Sequence, residues 1–206
     1  MPTPTFSLVY PAIEALLTHY RQRARTTDAL GMELSGILAA CPDYDAAHAI
    51  LATSQHPIVA VLENTVHRHP GALHGILDLL QPVLAALPWR YGYTARADCP
   101  DLNQRLAWAE LIGPLAPWRS HRICLGLTAI SPHTRYPEHA HPAVETYLVL
   151  DGHAHWRIGH EEMTVGPGNF ILHPGGAVHA METGDTPLLA AYTWSGDLDS
   201  PSVYPA

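Results

Sequence analysis

The sequence predicts a mainly β protein, an antiparallel sandwich or small barrel, preceded by an α-helical portion. Two observations carry this. After "LPWRYGY" the chain breaks into short segments rich in β-branched and aromatic residues, separated by Gly, Pro and Asp turns. Strands at such close, regular spacing build sandwiches and barrels rather than parallel sheets. Before residue 88, by contrast, apolar residues recur with the helical period.

The helical segments come first. Ile13, Leu16, Leu17 and Tyr20 follow i, i+3, i+4, i+7 spacing after Pro11, predicting an amphipathic helix to about Arg25. "DYDAAHAILATS" opens on an N-cap candidate, Asp43, and reads as a second helix. "HPGALHGILDLLQPVLAAL" sets Leu73, Ile76, Leu77, Leu80 and Leu84 on one face, with Pro82 expected to bend or split it. No cluster of convergent catalytic groups lies in this part. His67 and His69 in "VHRHP" read as a solvated loop. The strands follow as "RLAWAELIG", "RICLGLTAI", "ETYLVLDG", "HAHWRIG", "EEMTVG", "NFILHPGG" and "LLAAYTWSG". The expected organisation is a helical portion, 1–88, packed on a barrel, 89–206, as one compact unit.

Composition narrows the function. A formal charge of −8 and the absence of a basic run argue against nucleic acid and anionic membrane surfaces as partners. All eleven basic residues are Arg, which removes Schiff-base and P-loop lysines. Fifteen histidines favour metal or proton-transfer chemistry. Cys41, Cys99 and Cys124 are widely spaced without a CxxC pair, so buried thiols in a reduced, cytoplasmic protein are expected. "MPTPTFSLVY" has neither a basic n-region nor a long apolar core, so no signal peptide is expected. No apolar run reaches the roughly 18–20 residues of a membrane span. The expected assembly is a monomer or homodimer acting on a small molecule.

Two patterned segments carry the chemistry. In the first, His139 and His141 are followed by Glu145 and Gly152; in the second, Gly168 by Pro174, Gly176 and His179. Side chains at i and i+2 on a strand share a face, so His139 and His141 can point inward together, as can Glu145 and Tyr147. Glu138 has the opposite parity and should face away. His179 arrives from a later strand behind the "PGGAV" turn. Two or three imidazoles and a carboxylate around a cavity suit a divalent Zn, Fe, Mn or Ni ion with positions left open. His153 and His155 repeat the spacing without a carboxylate and read as strand surface or outer support. His133, His160 and His173 are isolated and receive no role.

These segments resemble the two cupin motifs, G(x)5HxH(x)3-4E(x)6G and G(x)5PxG(x)2H(x)3N. Two positions depart: residue 133 is His where the first motif has Gly, and Thr183 stands for the final Asn of the second. The resemblance implies a cupin antiparallel β-barrel, a double-stranded β-helix or jelly roll, with an N-terminal α-helical extension. With Tyr136, Tyr147 and Trp194 added, the set is similar to the cupin dimethylsulfoniopropionate (DMSP) lyases of the DddQ type. That resemblance implies a metal held by His141, Glu145, Tyr147 and His179, with His139 close by and Tyr136 in the active site. The generic cupin pattern would make His139 the fourth ligand instead, and both assignments stay open at this point.

The residues suit the implied reaction. DMSP carries a carboxylate and, on its β-carbon, a dimethylsulfonium; removal of an α-proton expels dimethyl sulfide and leaves acrylate. Metal binding neutralises the carboxylate beside that weakly acidic proton. A phenol, of ordinary pKa about 10, becomes a usable base beside a divalent cation. Tyr147 is the first candidate base and Tyr136 the second. Aromatic faces attract a sulfonium by about 0.5–2 kcal/mol each, and Trp194 and Tyr192 share a face, Trp194 being the stronger. Tyr147 and Trp194 have a plain alternative as ordinary barrel packing, and Tyr136, expected in a loop before Pro137, as a surface turn residue. An Fe-dependent oxygenase, an isomerase and a non-catalytic small-molecule-binding cupin are the competing readings. A phosphosugar isomerase would need basic residues at the barrel mouth, and only Arg135 and Arg157 lie near the motifs in sequence.

Overall fold

The computed structural model describes residues 8–43, 54–65 and 72–205. Helix α1 spans Tyr10–Arg23, with Pro11 in its first turn and Ile13, Leu16, Leu17 and Tyr20 buried as the spacing requires. Helix α2, Ala29–Ala40, is an element the periodicity did not signal. It is announced instead by its N-cap: Asp28 Oδ1 accepts the Gly31 N–H at 2.7 Å. A further short helix, α3, covers Ile58–Thr65. Helix α4, Ala72–Leu80, passes into a 3-10 segment at Gln81–Ala86, so Pro82 splits the element where a proline must. The helix expected from Asp43 onward, and the His67/His69 pair, lie almost wholly outside the described residues. A one-turn helix α5, Leu102–Arg105, leads into the sheets.

Ten strands follow: β1 Leu106–Gly113, β2 Trp118–Arg119, β3 Ile123–Ile130, β4 Arg135–His139, β5 Val144–Asp151, β6 Ala154–Ile158, β7 Glu161–Val165, β8 Phe170–His173, β9 His179–Thr183 and β10 Leu188–Ser195. They form a six-stranded sheet, β2-β1-β3-β10-β5-β8, facing a four-stranded sheet, β4-β9-β6-β7. All pairings are antiparallel except β1 with the short β2. This is the jelly-roll barrel of the cupin fold, carrying N-terminal helices.

Strand parity explains how the barrel is covered. On β3, β5 and β10 one face, including Leu125, Leu127, Leu148, Leu150, Leu189 and Ala191, packs into a core shared with α1–α4. The opposite face, including Tyr147, Val149, Ile130, Ala190 and Tyr192, fills the barrel interior together with Trp156 and Met181. Burial on both faces is why β3 reads as the nearly unbroken apolar run "ICLGLTAI". Gly126 is required inside: a Cβ there would lie 2.5 Å from the Ala109 carbonyl and 2.6 Å from the Tyr192 ring.

The motif departures have local explanations. Gly152 of the first motif sits at φ 81°, and a Cβ would strike the Pro187 carbonyl oxygen at 1.8 Å. His133, where the motif has Gly, also takes a left-handed φ of 51°, and its N–H donates to the Gly184 carbonyl at 2.8 Å. Thr183, in place of Asn, performs the tie itself. Its hydroxyl donates to the Ser131 carbonyl at 2.6 Å and accepts the Thr134 N–H at 3.0 Å. One expectation is corrected: Tyr136 lies on strand β4 rather than in a loop. Pro137 is tolerated because β4 is an edge strand with a register break between Tyr136 and His139.

Candidate active site

A cavity of about 350 Å³ opens inside the barrel. Its walls carry Tyr136, His139, His141, Glu145, Tyr147, Tyr192 and Trp194, seven of the eight residues selected from the sequence. The eighth, His179, reaches the same cluster from β9, where it pairs in register with His139. Glu145 and Tyr147 project inward from β5, opposite Trp194 and Tyr192 on β10.

Three imidazoles are set in one orientation. His139 Nδ1 meets the Pro137 carbonyl at 2.9 Å, His141 Nδ1 that of Ala143 at 3.1 Å, and His179 Nδ1 that of Ala177 at 2.8 Å. A carbonyl only accepts, so each ring donates Nδ1–H and keeps a lone pair on Nε2. His141 Nε2 then faces Glu145 Oε2 at 3.1 Å, and His179 Nε2 faces it at 3.4 Å. His179 Nε2 is buried without a hydrogen-bond partner. Two nitrogen lone pairs converging on a carboxylate oxygen is an arrangement that a cation stabilises. The candidate ligand atoms of His141, Glu145 and His179 all lie within 4.8 Å of one another, so the residues fit a divalent ion.

Electrostatics follow from burial and these contacts. Burial would raise the Glu145 pKa, but hydrogen bonding within the imidazole cluster, where His173 Nδ1–H is the donor to Oε2, outweighs it and holds the carboxyl well below its usual range. His139 is held well below its ordinary value, first by burial and then by the neighbouring His179. The Tyr147 phenol is pushed well above its ordinary value by burial and by the Glu145 carboxylate, while a hydrogen bond with Thr128 opposes the rise. Burial likewise raises Tyr136 and Tyr192.

Several neighbours were not selected from the sequence. His173, given no role above, is fully buried and places Nδ1 3.1 Å from Glu145 Oε2, which corrects its reading as isolated. Tyr93 hydrogen-bonds the Tyr136 hydroxyl and donates to Ser202 Oγ at 2.6 Å. Tyr136 in turn stacks on His139, with ring centroids 3.9 Å apart. Tyr91 and Trp108 extend the aromatic wall. Arg90 also lines the cavity, so Arg135 and Arg157 are not the only cations near the site in space. It is paired with Glu110 and brings no net charge. Trp194 differs in detail from expectation: its indole N–H donates to Glu145 Oε1 at 2.7 Å, and its ring lies 4.2 Å from that of His141. Glu138 faces outward, as its parity requires, and pairs with Arg157. His155 is on the surface beside Glu162.

The comparisons with known proteins agree on the family. A model of the dimethylsulfoniopropionate lyase family matches residues 39–190. The DMSP lyase DddQ of Ruegeria pomeroyi is 33% identical over 148 residues, which is 71% of this chain and 74% of that protein. A putative DMSP lyase, DddL, of Cereibacter sphaeroides is 34% identical over 128 residues, and the match spans about half of its length, 53%. It covers 61% of this chain. The crystal structure of DddQ from Ruegeria pomeroyi superposes with a TM-score of 0.73 at 27% identity, covering 95% of this chain and 96% of that one. A chain from the crystal structures of the DMSP lyases RdDddP and RnDddQII reaches a TM-score of 0.81 at 22% identity, covering 97% and 98%, and supports the fold. The family match extends over well more than half of the residues, and this chain belongs to the DMSP lyase family.

Proposed function

We propose that the protein is a metal-dependent carbon–sulfur lyase that cleaves DMSP to dimethyl sulfide and acrylate. One observation carries the reading beyond family membership. The convergent nitrogen and oxygen lone pairs of His141, Glu145 and His179 open onto the same aromatic-walled cavity as Tyr147 and Tyr136. When bound there, a divalent ion supplies positive charge that neutralises the substrate carboxylate and favours the phenolate of a nearby tyrosine. The mixed nitrogen and oxygen donors suit Zn, Fe, Mn or Ni.

His141, Glu145 and His179 would hold the ion, with Tyr147 rather than His139 as the fourth donor. Tyr147 stands two residues from Glu145 on β5 and lines the same cavity. His139 instead stacks on Tyr136 beside the cluster. The α-proton of DMSP passes to the Tyr147 oxygen, the electron pair forms the Cα–Cβ double bond, and the C–S pair departs with dimethyl sulfide. Tyr136 is the weaker base for a structural reason. Tyr93 gives its only proton to Ser202, so Tyr136 must donate its own to Tyr93. Trp194, Tyr192, Tyr91 and Trp108 offer π faces to the sulfonium, and neutral His139 adds no repelling charge. The cysteines are unpaired, which fits a reducing, cytoplasmic setting. Among the described residues no helix is long and apolar enough to cross a membrane.

Headspace dimethyl sulfide above purified protein and DMSP is the direct test. Gas should evolve with added divalent transition metals, also under anaerobic conditions, and cease after chelation. No gas with any metal would rule out the lyase reading, and obligatory O₂ consumption would favour an oxygenase.

A further inference from the structure

Glu145 is clamped at both oxygens, and only one of the clamps comes from a residue that the sequence pattern selected. Trp194 Nε1–H holds Oε1 at 2.7 Å. Oε2 is met by His173 Nδ1 at 3.1 Å, from the register-paired position on β8. The protonation of His173 can be deduced. Its Nε2 lies 2.9 Å from Trp156 Nε1. An indole nitrogen only donates, so His173 Nε2 must accept, and its one proton sits on Nδ1, directed at Glu145. His173 therefore differs in kind from His139, His141 and His179. Those three rings spend Nδ1–H on backbone carbonyls and keep Nε2 bare, whereas His173 has both nitrogens engaged by side chains.

We propose that Trp156 and His173 are a positioning pair for the metal centre: the indole fixes the imidazole tautomer, and the imidazole fixes the carboxylate. Neither residue touches the ion. With His173 donating to one lone pair of Oε2, the other stays turned toward His141 Nε2 and His179 Nε2, where an ion would be held. Without that donor, Oε2 faces only two nitrogen lone pairs, and the carboxylate is held at Oε1 alone, by Trp194. The pair sits in the barrel core, with Trp156 on β6 and His173 both fully buried. Its alignment is therefore set by the packing of the two sheets rather than by a mobile loop. Support of this kind for a ligand is worth about 10–100-fold in metal affinity.

The inference rests on the metal-centre reading of His141, Glu145 and His179, and the experiment separates the two. Metal-free protein and its variants are titrated with Co(II), recording affinity and the visible ligand-field spectrum. In His173→Asn the amide N–H occupies the place of Nδ1, and affinity should stay within a few-fold of the parent with similar bands. In His173→Gln the amide reaches past that place toward Trp156. Affinity should fall about 10–100-fold and the bands should shift. Trp156→Phe, which frees the tautomer, should produce a smaller loss in the same direction. Equal affinities and spectra for the Asn and Gln variants would overturn the positioning role while leaving the metal centre intact. His179→Ala is the control for the centre itself: if it binds Co(II) as tightly as the parent, the metal-centre reading fails and the positioning role fails with it.

Discussion

The Tyr147 hydroxyl is the residue-scale crux of the proposed chemistry, because burial and the Glu145 carboxylate both favour its retaining a proton. A base held in that state works only when positive charge is brought beside it, which makes turnover strictly dependent on the ion. Tyr147→Phe removes the base but keeps the ring that packs against Trp156, whose centroid is 4.9 Å away. General-base removal costs about 10²–10⁴ in rate, so kcat for dimethyl sulfide release should fall by at least about 100-fold. DMSP binding, followed by calorimetry, should survive. An unchanged kcat would take Tyr147 out of the mechanism and transfer the role to Tyr136. This site was legible to the extent that it obeys local spacing: His139, His141, Glu145 and Tyr147 declare themselves by i, i+2 parity along one stretch. His173 and Tyr93 do not. The first reaches Glu145 through strand register, and the second reaches Tyr136 across 43 residues of chain. Neither relation leaves a periodic trace.

At the scale of elements, seven of the ten strands were legible as segments punctuated by turns, and His179 marked β9, whereas β2, β4 and the helices α2, α3 and α5 were not. Helix α2, "ALGMELSGILAA", buries only Leu30, Gly31, Leu34 and Ile37, a narrow stripe beside exposed Met32. Its start is marked by Asp28 rather than by periodicity. Helix α3 depends on a histidine. The Ile58 N–H donates to His56 Nδ1 at 3.2 Å, while His56 Nε2–H donates to the Asn103 carbonyl at 3.0 Å, tying α3 to α5. The Ile58 contact needs the neutral ring, whereas the Asn103 contact survives protonation and favours it; burial outweighs this and lowers the His56 pKa below 6.5. As pH falls through 6.5 the unfolded chain takes up this proton before the folded one. The contribution is therefore complete above about pH 6.5 and declines below it. His56→Asn offers a non-titrating oxygen to the same Ile58 N–H. Thermal unfolding from pH 7.5 to 5.5 should show a smaller loss of Tm in the variant than in the parent. Parallel profiles would show that His56 contributes nothing to acid sensitivity.

For the whole molecule, the decisive feature is that the six-stranded sheet is buried on both faces. The sequence announced helices before strands, yet it could not say how completely the one depends on the other. That dependence arises from long-range packing of Leu16, Leu34, Leu62 and Leu77 against Leu125, Leu127, Leu148 and Leu189, which no local pattern encodes. The same strands present Glu145, Tyr147, Tyr192 and Trp194 to the cavity on their other face. Helix packing thus holds the backbone from which the site projects. Burying a side chain the size of Leu stabilises by about 1.5–3 kcal/mol. Stripping the helices away from several such residues would therefore cost more than the roughly 5–15 kcal/mol by which a domain is stable. Residues 89–206 produced alone should aggregate, show no cooperative unfolding and bind no Co(II) at the affinity of the full chain. A soluble 89–206 fragment that unfolds cooperatively and binds metal normally would show instead that the barrel is an independent unit, with the helices merely resting on it.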